Sequence, residues 1–141
     1  MRFHICASHD YLEKYGRPEK IEDLKDHCLI SFPEHIQTPF SQPHWLYNTV
    51  GINLKKHNNL IMMNSVYPIY RAVQKGAGIT VLPDYMINYA ENIEILFPEQ
   101  ERPPVDIYFV YAEERRHSQR IQAFRDFLVE NINIHNLREE T

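Results

Sequence analysis

Eight histidines and two cysteines give this chain its widest chemical range, and their spacing decides how much of it is open to them. Metal binding would need histidines three or four residues apart on one helix face, or interleaved with cysteines. His4, His9, His27, His35, His44, His57, His117 and His135 form no HxxxH, HExxH or clustered Cys/His pattern, so no metal and no cofactor is expected. General-base chemistry would need a histidine beside a nucleophile. His35 and His44 are the candidates, because one falls in and the other directly follows a proline-punctuated polar stretch, residues 33–43, of the kind that loops over a cleft, although for His44 a solvated loop accounts for the same pattern. The chain has no GxSxG elbow, no GxxxxGK loop and no GxGxxG fingerprint. Lys75-Gly76-Ala77-Gly78 carries glycines, but between a helix and a strand, the reverse of the order that cradles phosphate. Cys6 and Cys28 each lie among apolar residues and read as small core side chains.

The remaining chemistry is anion binding by backbone, and it is placed by residues 59–86. Leu60, Ile61, Met62 and Met63 have the length of a buried strand, and Asn64 and Ser65 follow as helix-capping types. Val66, Ile69, Ala72 and Val73 recur at spacings of three and four, giving one apolar helical face. Gly76 suits the left-handed turn past a helix end, and Gly78 admits a tight entry into the strand Ile79, Thr80, Val81, Leu82, closed by Pro83. Two strands joined by one crossover helix are expected to pair in parallel, which puts Asn64 and Ser65 at the carboxyl ends of the strands. A helix N-terminus there favours a carboxylate, sulfate or phosphate by about 0.3 to 1 kcal/mol when exposed. Pro68 removes one donor from that first turn. An ordinary helix cap accounts for the same residues.

Composition bounds the partners. The 141 residues suit one domain, and 43% hydrophobic with 24% charged residues is ordinary for a folded protein. A net charge of −4 and scattered Lys and Arg leave no basic stripe for nucleic acid. No apolar run reaches the roughly 20 residues that span a bilayer, and the first residues lack a secretory apolar region, so a cytoplasmic location is expected.

Other elements follow from punctuation. Residues 2–7 alternate as a strand, Ser8 caps a short helix stopped by Gly16, and residues 21–26 make a helical turn. Residues 28–32 form a strand, and 45–55 read as a hairpin or short extended pieces. Beyond Pro83 the pattern predicts a helix over 84–90, strands over 93–97 and 105–111, and a helix capped by Ser118. Its apolar stripe is Ile121, Phe124, Phe127, Leu128 and Ile132, before a polar tail from residue 133.

In this order the motifs resemble the effector-binding domain of LysR-type transcriptional regulators. Residues 7–32, ASHDYLEKYGRPEKIEDLKDHCLISF, are similar to the family's Ala-Ser-Pro-x-Tyr-Leu, Gly-x-Pro, Asp-Leu and His-x-x-Leu series, with His9 in place of proline. Trp45 follows a variable loop, Asn64-Ser65 falls at the usual Asn-Asp, KGAGITVLPDYM resembles the Gly-x-Gly-Ile and Leu-Pro turn, and RIQAFRDFL the closing helix.

The resemblance implies an α/β fold, a lobe like that of a type 2 periplasmic binding protein, with a mixed, mostly parallel sheet flanked by helices. It implies an incomplete two-lobed domain: a hinge strand at 1–7, the second lobe at 8–104, a return strand and closing helix at 105–132, and a tail at 133–141. The winged helix-turn-helix and most of the first lobe are expected to be absent, so that DNA would be read only through another domain. By position Ser31, Pro33, His35, Asn64, Ser65 and Gly78 resemble ligand-binding residues of the cleft. The implied function is non-catalytic sensing of a small-molecule effector, with a carboxylate favoured by the helix terminus. A free-standing metabolite-binding protein and a small enzyme using His35 or His44 are the alternatives.

Without the first lobe, Ile121, Phe124, Leu128 and Ile132 are expected to seek another chain, as a homodimer or higher oligomer. Burying four such side chains contributes on the order of 6 kcal/mol before ordering costs.

Overall fold

The computed structural model describes residues 1–36, 44–53, 55–100, 102 and 104–139, with backbone alone from 133 to 139. The chain divides into two units, Met1–Asp106 and Ile107–Thr141.

The first unit is built around β1 (Phe3–Ser8), β2 (Leu29–Ser31), β3 (Leu60–Met62), β4 (Thr80–Pro83) and β5 (Ile93–Leu96). β1 is the central strand of a three-stranded sheet in the order β4-β1-β5 and runs antiparallel to both neighbours, with Ile5 opposite Val81 and Leu96. β2 and β3 pair in parallel, Ser31 opposite Met62. A parallel bridge between Leu29 and Ile79 joins the two ribbons: Ile79 N donates to Cys28 O at 2.8 Å and Ile30 N to Ile79 O at 2.9 Å.

Two expectations change here. β3 and β4 do not pair, because β2 lies between β3 and the chain entering β4. The sheet is not mostly parallel either, since β1 is inserted antiparallel between β4 and β5. β3 is consequently an edge, which leaves Leu60 and Ile61 only half-buried and Met62 exposed.

Alternation along the strands divides the core in two. Ile5, Ala7 and Leu29 face α1 (His9–Tyr15), the 3-10 helix Ile21–Asp26 and α2 (Trp45–Thr49), through Tyr11, Leu12, Leu24, Leu46 and Tyr47. Cys6, Ile30 and Leu82 face α3 (Val66–Gln74) and α4 (Asp84–Ile87), through Ile69, Val73 and Ile87. Both cysteines are free, Cys6 fully buried and Cys28 half-buried. Ser8 begins α1 as predicted, its Oγ accepting from Tyr11 N at 3.2 Å. Gly76 follows α3 at φ 75°, the left-handed turn that favours glycine.

The expected hairpin over 45–55 is a helix in its first half. Leu46, Tyr47 and Val50, spaced as on a helix, are all buried against the sheet, and Thr49 Oγ1 donates to Trp45 O at 2.8 Å. Burial of these three favours the helical period over the alternation; Leu54 of that segment lies outside the described residues. The helix after Pro83 is shorter than predicted, ending at Ile87 with turns to follow.

The expected strand over 105–111 forms no ladder among the described residues. Val105 N donates to Met1 O at 3.0 Å and Val105 O accepts from the Met1 amine at 3.3 Å, and there the pairing stops. In the second unit a 3-10 turn, Glu113–Arg115, leads to α5 (Gln119–Glu139), which continues through most of the segment predicted as a polar tail.

Candidate functional site

Parallel pairing brings the carboxyl ends of β2 and β3 together, and α3 starts three residues beyond β3. Ser31 O accepts from Met63 N at 2.9 Å, so Ser31 lies beside the short link, Met63 to Ser65, that enters α3. Ser65 is the N-cap residue in extended conformation, and its hydroxyl makes no capping bond. Asn64 and Ser65 are both exposed, and the first turn of α3 carries no acidic residue. Its leading N–H groups have no intrahelical acceptors, while Pro68 contributes none. The positive end of the α3 dipole therefore opens to solvent beside Ser31.

Beyond Ser31 the chain turns at once: Pro33 O accepts from Ile36 N at 3.2 Å, which holds Pro33 half-buried and leaves Glu34 and His35 exposed. Glu34 pairs with Lys55 at 3.4 Å. Five of the six predicted ligand residues, Ser31, Pro33, His35, Asn64 and Ser65, thus lie at or just past the carboxyl end of the β2–β3 pair. Gly78 does not. It lies beside Cys28, at the opposite end of β2, where a Cβ would stand 2.6 Å from Cys28 O.

His44, which the sequence placed at the end of the proline-punctuated loop, comes to lie on the sheet. It precedes α2, is half-buried, and shares a hydrogen bond of 3.2 Å between its Nδ1 and Ser31 Oγ. Its Nε2 is buried and has no partner among the described residues. The available signal was helical spacing in Trp45-Leu46-Tyr47-x-x-Val50, which draws the start of α2, and His44 with it, onto the sheet.

Tyr47, from the same helix, donates to Ile30 O, which also accepts from Thr80 Oγ1 at 2.7 Å. Burial pushes the Tyr47 phenol well above its ordinary range, and the neighbouring Ser31 and Thr80 hydroxyls oppose this only in part. A neutral phenol is what this arrangement holds. His44 and Tyr47, with Glu34, Asn48, Gly51, Ile52 and Asn53, line an open depression of about 430 Å³.

Ser31 and His44 bring a hydroxyl and an imidazole together, but the geometry of nucleophilic catalysis is not present. Ser31 is 3% exposed, its hydroxyl also donates to Phe32 O at 3.2 Å, and no described carboxylate orients the imidazole. Among the described residues no group of three His, Cys, Asp or Glu side chains could hold a metal ion. The arrangement offers hydroxyls, amides and a helix N-terminus, which bind small polar molecules.

Residues 1–133 match the family model for the LysR substrate binding domain. The chain belongs to the LysR substrate-binding domain family. This is a ligand-binding, non-catalytic family. The chain is 27% identical over 139 residues to the probable HTH-type transcriptional regulator SinR of Salmonella typhimurium, covering 92% of this chain and 42% of that protein. Among solved structures, it is similar to the LysR-type regulator CrgA of Neisseria meningitidis, with a TM-score of 0.68, 28% identity, and coverage of 92% of this chain and 44% of that one. The separate CrgA regulatory domain aligns with a TM-score of 0.64 at 24% identity over 92% of this chain and 64% of that domain, a likeness of fold. The chain therefore spans less than half the length of the regulators it matches. No described helix is long and apolar enough to cross a membrane.

Proposed function

We propose that this LysR substrate-binding chain is the effector-sensing portion of a cytoplasmic transcriptional regulator and corresponds to the second lobe of a two-lobed, type 2 periplasmic-binding-protein-like domain. On this reading residues 8–104 form the lobe, 1–7 and 105–132 are the hinge strands and closing helix, and DNA is read by a helix-turn-helix outside the matched region.

The observation that carries the proposal is the meeting of Ser31 and the α3 N-terminus at one sheet edge. There the open first-turn N–H groups face solvent with no acidic side chain to satisfy them. Asn64 and Ser65 supply polar side chains to an anionic group on the effector, and Ser31, Pro33 and His35 border it from β2. A small carboxylate is the class this chemistry favours.

The test is heteronuclear NMR of the chain against small carboxylates, amino acids and aromatic acids, matched with their amides. Saturable shifts at Ser31, His35, Asn64 and Ser65 from the acids but not the amides are expected. A folded chain showing no saturable shift there with any compound would refute the proposed site. Shifts confined to the residues of the depression around Asn48 and Asn53 would move the ligand to the α2 side.

A further inference from the structure

The open depression beside α2 takes no part in the anion site proposed above, and its lining has a chemistry of its own. Its volume of about 430 Å³ falls within the ~300–1,000 Å³ of small-molecule sites. Tyr47 and Ile52, both buried, close its floor, and Glu34, His44, Asn48, Gly51 and Asn53 make its rim.

The local fold explains how two asparagines reach one rim. α2 gives way to Gly51 at φ 68°, in the left-handed region, and Ile52 N turns back to donate to Tyr47 O at 2.8 Å. Asn53 therefore emerges beside α2, which carries Asn48, and both side chains are exposed. Asn53 Oδ1 accepts from Lys55 N at 3.0 Å, which turns its carbonyl back on the chain and leaves its two amide N–H groups to face a ligand. Asn48 offers an amide donor and an amide acceptor together.

Charge is balanced at this rim. Glu34 is the charged side chain among the described lining residues, and Lys55 stands 3.4 Å from its carboxylate. The lysine offsets the attraction for a cation, while the carboxylate in the wall opposes an anion. Uncharged hydroxyls, which donate and accept as the amides do, match what remains. The wall also holds an unmet hydrogen-bond demand, because His44 Nε2 is buried and has no partner among the described residues. Ser31 Oγ donates to Phe32 O and so accepts from His44 Nδ1, and this pattern assigns the imidazole proton to Nδ1 and leaves Nε2 an acceptor. A ligand hydroxyl that reaches behind the rim to Nε2 makes a bond that water does not supply.

We propose that this depression is a second ligand site, for a small neutral polyhydroxylated molecule of monosaccharide size, held by the Asn48 and Asn53 amides with the Glu34 carboxylate accepting from a ligand hydroxyl. It lies across the turn at residues 33–36 from the proposed anion site, with Glu34 on its side and Pro33 and His35 on the other.

The experiment is a heteronuclear NMR titration of the whole chain with glucose and myo-inositol, and with gluconate and glucosamine as the anionic and cationic counterparts of glucose. Saturable shifts at Asn48, Gly51 and Asn53 are expected from the two neutral compounds, with the charged counterparts of glucose bound at least about tenfold more weakly. N48L and N53L should each weaken binding by about tenfold, while unchanged signals from β1, β4 and β5 show that the first unit stays folded. Any shifts of Asn64 and Ser65 by carboxylates are read in the same spectra, so this site and the anion site stand or fall separately. No saturable shift at Asn48, Gly51 and Asn53 with either neutral compound up to about 50 mM would overturn the inference. So would tighter binding of gluconate or glucosamine there, or binding that survives both asparagine variants.

Discussion

Gly78→Ala tests how the two ribbons of the sheet are joined. The new methyl would stand 2.6 Å from Cys28 O and 3.2 Å from both Cys28 C and Ile30 Cγ1. Two of these neighbours are backbone atoms of Cys28, the residue that leads into β2, so the clash is relieved only by separating the start of β2 from the chain entering β4. Overpacking of this kind costs about 1–3 kcal/mol. The two bridging bonds, Ile79 N to Cys28 O and Ile30 N to Ile79 O, lengthen with it, at a net value of about 1 kcal/mol each when lost. Reduced freedom of the unfolded chain returns about 0.4–1 kcal/mol. The balance is a loss of about 3 kcal/mol, or roughly 15 °C in melting temperature for a unit of this size. Urea unfolding followed by Trp45 fluorescence measures it. A variant as stable as the parent within about 0.5 kcal/mol would refute the close-packing account. If that variant also lost effector-induced shifts, Gly78 would be a ligand contact after all.

Three other perturbations probe single links. Ser8→Ala removes the buried acceptor for Tyr11 N at the start of α1 and should cost about 1 kcal/mol in urea unfolding; stability equal to the parent would mean that another group caps α1. Tyr47→Phe deletes one of two donors to Ile30 O while Thr80 Oγ1 keeps the carbonyl satisfied, so the loss should stay near 1 kcal/mol. A much larger loss would place more of the sheet's stability in that phenol than the geometry provides. Alkaline pH should destabilise the first unit. Burial raises Cys6, Cys28, Tyr11 and Tyr47 above their ordinary values of 9.0 and 10.0. The folded chain thus keeps protons that the unfolded chain releases. Their contribution is complete below about pH 9 and is lost as pH rises past it. Urea midpoints at neutral pH and near pH 10.5 measure this, and equal midpoints would contradict it.

The elements were legible wherever a local rule had no tertiary competitor. Ser8 before α1, the apolar spacing of Val66, Ile69 and Val73, and Gly76 past the end of α3 each specify their structure from neighbours within a few residues. The ordered motifs from Ala7 to Leu128 marked the family because its segments keep their sequence order. What could not be read was which strands meet. Pairing depends on residues far apart in sequence, and the capping and periodicity around 59–86 are the same whether β3 lies next to β4 or one strand away.

The site divides along the same line. Helix-capping types at Asn64 and Ser65 announced a helix N-terminus, and the sequence alone determined that it would carry no acidic residue in its first turn. Only the tertiary structure put Ser31 beside it, moved Gly78 to the far end of β2, and drew His44 out of the expected loop onto the Ser31 hydroxyl. Local propensity acts over one turn or one strand, whereas these placements follow from burying Leu46, Tyr47 and Val50 against a sheet whose strands come from the whole first unit.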